Sequence, residues 1–196
     1  MKIASHARFL ALAAAAALAP SLASAHPGLD HVHGLVSGIE HPLFGVDHLL
    51  AMVAVGLIAA RTGGRGLLLV PLSFVSAMIV GALLGVNGLG LPSVETGIAL
   101  SLVVFGAMLS LARPLPLSAA LPLTAAFGLF HGNAHGLEIP ETAGGLAYGL
   151  GFVLATATLH AAGVFGAFRL DRWQRAIRAA GVATALVGVG FAAQII

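Results

Sequence analysis

From residue 41 onward the chain alternates long apolar runs with short polar breaks. Six runs stand out, at 42–60, 66–87, 94–112, 116–137, 143–168 and 177–195. As helices rising about 1.5 Å per residue, each has the length to cross roughly 30 Å of hydrocarbon. The breaks carry the turn formers and the charges: Arg61-Thr62-Gly63-Gly64-Arg65, Asn87 to Pro92, Arg113-Pro114, Ile139-Pro140-Glu141 and Arg169 to Arg178. The pattern predicts an all-α integral membrane protein, a bundle of six transmembrane helices over residues 41–196. It leaves no room for a soluble domain, and the Gly-rich breaks lack the lysine of a phosphate-binding loop.

Residues 1–25 read as a cleavable signal peptide. Lys2 and Arg8 supply the positive start, Phe9 to Leu18 a short apolar stretch, and Ala23-Ser24-Ala25 the small residues of a cleavage site. Removal would leave His26 at the new terminus, outside the inner membrane of a Gram-negative type cell. Segment 26–40 is then an extracytoplasmic tail. His26, His31 and His33, with Asp30 nearby, give it loosely spaced metal-capable groups, which a merely polar tail would also contain.

Composition adds two constraints. Hydrophobic residues make up 59% and charged residues 8%, against about 25% charged in soluble proteins. So few charges do not cover a water-facing surface. With no cysteine there is no disulfide framework and no thiolate, so any metal would be held by imidazole, carboxylate, amide or backbone oxygen. Without the leader, seven arginines balance seven acids, and nothing points to nucleic acid.

Charge placement sets an orientation. With both mature termini on the periplasmic side, Arg61, Arg65, Arg113, Arg169, Arg172, Arg175 and Arg178 all fall at the cytoplasmic ends of the runs, as the positive-inside rule requires. Two polar clusters then share the outer half of the bundle. The first, His41-Pro42-Leu43-Phe44-Gly45-Val46-Asp47-His48, opens the first run. Pro42 suits the first helical position there, and His41 and His48 would share one stripe. The second, Phe130-His131-Gly132-Asn133-Ala134-His135-Gly136-Leu137-Glu138, closes the fourth run, with His131, His135 and Glu138 on one stripe. A carboxylate in a spanning helix costs roughly 2.5–3.5 kcal/mol on insertion scales and by default marks function. His41, Asp47, His48, His131, His135 and Glu138 are therefore the candidate metal ligands.

Weaker candidates are His160 as a deeper relay, Glu95 at an outer vestibule and Asn133 as an amide-oxygen ligand. Each also has a structural reading, as a helix–helix bond or a favourable helix-start charge. Phe44 and Phe130 are candidates for lining or gating a passage, although membrane aromatics usually pack. Gly132 and Gly136, Gly81 and Gly85, and Gly145 and Gly149 repeat a small-xxx-small spacing that suits close helix packing.

The paired elements His41-x5-Asp47-His48 and Phe130-His131-Gly132-x-Ala134-His135-Gly136-x-Glu138 resemble the signatures of the HupE/UreJ proteins. That resemblance covers the mature chain. It implies a nickel permease, with cobalt as a second substrate, supplying hydrogenase or urease maturation. The residues by themselves specify only a divalent metal with nitrogen and oxygen ligands. The expected protein is a secondary transporter, not an enzyme, with no permanently bound cofactor and Ni2+ or Co2+ as cargo in a lipid bilayer; a homo-oligomer is compatible with the Gly-rich helices. Two carboxylates would offset the ion's charge, and neutral imidazoles would bind less well as pH falls through their titration range. The alternatives are an intramembrane zinc hydrolase with Glu138 as general base, and a metal-sensing or storage subunit.

Overall fold

The computed structural model describes residues 34–139, 143–169 and 174–195, and every regular element among them is helical. The leader, along with His26, His31 and His33, lies outside the described residues. The elements are α1 Gly34–Phe44, α2 Val46–Thr62, α3 Gly66–Val86, α4 Val94–Ser110, α5 Leu117–Glu138, α6 Ala143–Arg169 and α7 Gln174–Ala192. Their bounds follow the apolar runs closely, except in the first run.

There the helix begins well before Pro42. Pro42 is buried inside α1, so it is not the first helical residue the sequence suggests. Its ring nitrogen has no proton to donate to the carbonyl one turn back, which weakens the helix at this point. Three residues later Gly45 takes an extended conformation, φ −75° and ψ 109°, and the chain turns by 81° between α1 and α2. The backbone stays hydrogen-bonded through the turn, Gly45 N–H to the His41 carbonyl at 3.1 Å and Leu49 N–H to the Gly45 carbonyl at 2.8 Å. His41 and His48 therefore sit on separate helices.

Among the described residues three helices, α3, α6 and α7, are long and apolar enough to cross a bilayer, and the bent α1–α2 pair adds a fourth if it counts as one span. That is fewer than the six full crossings expected. The reasons are local. At 17 residues each, α2 and α4 fall short of the ~20 that a straight crossing needs. At 22 residues α5 is long enough, but it carries two His, an Asn and a Glu, which lower its apolar character.

Glycine decides how the helices pair. Along α5, Gly128, Gly132 and Gly136 each lie against α3 backbone, at Phe74, Met78 and Ala82 in turn. Gly81 and Gly85 of α3 answer them against Leu129, Asn133 and Gly136. The matched order shows that α3 and α5 run parallel. Gly56 of α2 and Gly163 of α6 make the same kind of contact, as do Gly106 of α4 and Gly181 of α7. Without a Cβ, two helix backbones come together and gain dispersion contacts that lipid cannot supply. Gly149 breaks the expected pattern. No neighbouring element comes within 4 Å of where its Cβ would stand, and it lines an apolar cavity of about 480 Å³ between α3, α5 and α6.

The arginines meet at one end. Arg61 donates to the carbonyls of Met108, Leu109 and Leu111 at 3.2, 2.6 and 2.8 Å, and Arg178 Nε to that of Ser110 at 3.0 Å. These are the partnerless carbonyls at the end of α4, where positive charge also suits the helix dipole. The contacts hold α2, α4 and α7 together at the end opposite His48.

Substituting Gly132→Ala would drive a methyl group into the Met78 carbonyl, whereas Gly149→Ala adds one to empty space. Thermal melts of detergent-purified protein should show a fall of several degrees or loss of folded protein for Gly132→Ala. The Gly149→Ala protein should melt at or above the wild-type temperature, because Ala outscores Gly in a helix interior by roughly 0.5–1 kcal/mol.

Candidate metal centre

The turn at Gly45 and the glycine seam of α5 bring two sequence-distant clusters to one place. On α5 the residues before seam glycines Gly132 and Gly136 are His131 and His135, which are therefore turned about 100° from the seam. Both are buried, as is His48 on α2. The His48 ring lies 4.9 Å from His131 and 4.5 Å from His135, centroid to centroid. From α1, His41 reaches back across the turn to within 4.5 Å of His135 and 5.9 Å of His48. Four imidazoles from three helices thus form one packed group.

Their nitrogens are not placed at random. Asp47 Oδ1 accepts from the His48 backbone N–H and from His48 Nδ1, both at 2.8 Å. A carboxylate behind Nδ1 fixes the proton there and leaves a lone pair on Nε2, the arrangement that carboxylates impose on metal-binding histidines. His48 Nε2 in turn faces His135 Nε2 directly. The other nitrogen of His135, Nδ1, lies 3.5 Å from the Glu138 carboxylate. Two imidazoles nose to nose, each backed by a carboxylate, have one lone pair too many or one cation too few. A shared proton satisfies that geometry, and so does a metal ion after a small separation of the rings.

His41, His135 and Glu138 offer ligand atoms that all lie within 4.8 Å of one another, the one such group among the described residues. Opposite donors around an ion with ~2.1 Å bonds are about 4.2 Å apart, so modest rotamer changes would close the set. Glu138 is mostly exposed on its side chain, and can swing. Asp47 stands apart from this group. Its partner is His48, and with Glu95 and Gln194 it lines a separate recess of about 100 Å³ between α2, α4 and α7.

His131 is held by a residue the sequence reading passed over. Ser101 donates its hydroxyl to the Ile98 carbonyl at 2.6 Å and stands 3.0 Å from His131 Nε2. With its proton spent, Ser101 accepts from His131 Nε2–H, and His131 Nδ1 keeps a buried lone pair with no hydrogen-bond partner among the described residues. Tyr148 and Phe152, one turn apart on α6, wall the group off; Phe152 lies 4.4 Å from the His135 ring and 6.2 Å from His41. Serine in an apolar run is usually a backbone-bonded helix residue, so no sequence signal singled out Ser101. The i, i+4 spacing of Tyr148 and Phe152 was the one available hint for the wall.

The remaining sequence candidates fall elsewhere. Asn133 is wholly committed to structure: its amide donates to the Gly81 and Leu89 carbonyls at 3.2 and 2.8 Å, and its oxygen accepts from Leu91 N–H at 2.7 Å. It pins the 87–91 loop to α5. Phe130 covers Gly97 of α4, a packing contact. Phe44 is 78% exposed at the turn. His160 is buried well below the group, against Phe74.

Replacing Asn133 by Ala removes three backbone-directed bonds. The 87–91 loop should then become cleavable by limited proteolysis, and stability should fall by about 1–3 kcal/mol, read as a shift in the detergent melt.

The family model for the HupE / UreJ protein matches residues 13–191. Protein HupE of Rhizobium leguminosarum bv. viciae is 42% identical over 176 residues, 88% of this chain and 92% of that protein. No solved structure matches.

Proposed function

Because the chain belongs to the HupE/UreJ family, we propose that it is a secondary transporter that admits a divalent transition metal, nickel first and cobalt second, across the bacterial inner membrane. The observation that carries this reading is the facing pair of Nε2 atoms on His48 and His135, with Asp47 and Glu138 behind them. A proton-sharing pair alone would not require His41, His131 and a second carboxylate beside it.

In this account the six apolar runs all cross the membrane, with both mature termini in the periplasm and the arginine-bearing end in the cytoplasm. The hydrated ion arrives at the periplasmic end, where Glu95 and Asp47 line the small recess. It sheds water for imidazole nitrogen as it passes between His48 and His135. His41 and Glu138 complete its surroundings on one side and His131 on the other. Asp47 acts chiefly through His48, holding the ring in the tautomer that presents a lone pair. The two carboxylates offset the ion's double charge, without which a bare cation in this low-dielectric setting would be prohibitively costly. A donor set dominated by imidazole suits nickel, cobalt, zinc and copper over magnesium and calcium, which prefer all-oxygen surroundings. Inside-negative potential draws the cation inward at about 2.3 kcal/mol per charge per 100 mV. The recipient enzymes are hydrogenase or urease.

Uptake of radiolabelled nickel by cells producing the protein tests this. His135→Ala and Asp47→Asn should each cut uptake at least tenfold at equal protein level. The Asp47→Asn loss should appear as a 10–100-fold weaker nickel affinity in equilibrium dialysis, the usual scale for removing a carboxylate behind a ligating histidine. Normal uptake by both variants would remove the cluster from the mechanism. Turnover of lipid or peptide by purified protein, without metal accumulation, would favour a hydrolase.

A further inference from the structure

A second set of donor atoms lies deeper in the bundle. His160 on α6 is 3% exposed, and neither ring nitrogen has a hydrogen-bond partner among the described residues. Neutral imidazole carries one N–H and one lone pair, and burying both unpaired is unfavourable unless something else rewards the residue. A leucine would fill the same space at no such cost.

Its level in the fold is informative. The His160 carbonyl lies against Gly56 of α2, eight residues past His48, or about 12 Å further along the helix toward the arginine end. Phe74 of α3 stands between the two levels, its ring 5.5 Å from His131 and 5.4 Å from His160. One turn from His160, buried Thr156 donates to the Met78 sulfur at 3.9 Å, and Met78 is one turn from Phe74. The α3–α6 crossing thus carries an imidazole, a thioether and a hydroxyl, all buried, and no carboxylate.

We propose that His160 is an inner transit site for the same divalent metal, reached from His131 past Phe74, with the Met78–Thr156 pair, which lies on the outer side of Phe74, as a step between the two levels. This rests on the transport reading above. The contrast in donors gives the two levels different tasks. The outer group has two carboxylates and holds the ion well. The inner site is a neutral imidazole, so it accepts nickel, cobalt, copper or zinc but not magnesium, and holds the ion weakly enough to release it.

The test uses full-length protein in proteoliposomes with nickel as the probe, comparing wild type, His160→Leu and His160→Met, with nickel affinity measured on the same preparations by equilibrium dialysis. Leu and Met have similar volume, and only Met brings a donor atom. Both variants should bind nickel with wild-type affinity, because the outer group is intact. His160→Leu should slow nickel influx at least tenfold, and His160→Met should recover most of it. Wild-type influx through His160→Leu would overturn the proposal, and so would equal slowing by Leu and Met, which would make His160 a packing residue. Wild-type protein that admits no nickel would overturn the transport reading and this site with it.

Discussion

Backbone contact at glycine is the constraint on which the rest depends. Along α5 every fourth residue from Gly128 to Gly136 lies against α3, and that seam fixes the rotation of α5 about its own axis. Once the glycines face α3, the histidines one position earlier turn toward the other helices, His131 to α2 and α4 and His135 to α2 and α6. In hydrocarbon no water is available to pair with an imidazole, so a polar stripe turned outward would be strongly disfavoured. Packing and polarity therefore select the same rotation. The imidazoles are aimed by residues that have no side chain.

The turn at Gly45 does comparable work for α1. A straight continuation would carry His41 up and away from α5. The 81° bend instead lays α1 beside α6, where Gly38 and Gly151 meet the opposing backbones, and returns His41 to the ring of His135. Around this group the chain spends hydrogen bonds on orientation. Asp47 sets one imidazole, Ser101 another, and Asn133 ties down the loop above. The result is a group of imidazoles with rings already in contact and little freedom left to lose.

Much of this was legible in the sequence. Helix boundaries follow from apolar run length, and the shared stripe of His131, His135 and Glu138 follows from helical pitch alone. The side of the bundle on which they meet His48 follows from the placement of seven arginines. What escaped notice depends on three dimensions. A continuous apolar run hides the break at Gly45, since glycine inside a hydrophobic stretch reads as tolerated helix. Asp47 reads in the sequence as a ligand beside His48, and adjacency also lets its carboxylate reach round to His48 Nδ1. Asn133 shares a helix with the histidines but points to the α3 seam, where loop carbonyls consume it. Gly145 and Gly149 carry the spacing of a packing motif, yet Gly149 opens onto a cavity because no helix comes to meet it. Spacing identifies a face, and only the neighbouring helix decides what that face does.

The central claim is that the imidazole–carboxylate group at the arginine-free end lets metal through the bundle. The most direct measurement places purified protein in sealed vesicles around a metal-quenched dye and follows nickel influx under an inside-negative potential, with His48→Ala/His135→Ala double-variant vesicles alongside. The account predicts rapid quenching by nickel and cobalt, little by magnesium, and none above leak in the double variant. Equal quenching in both preparations, or none in either, would contradict it.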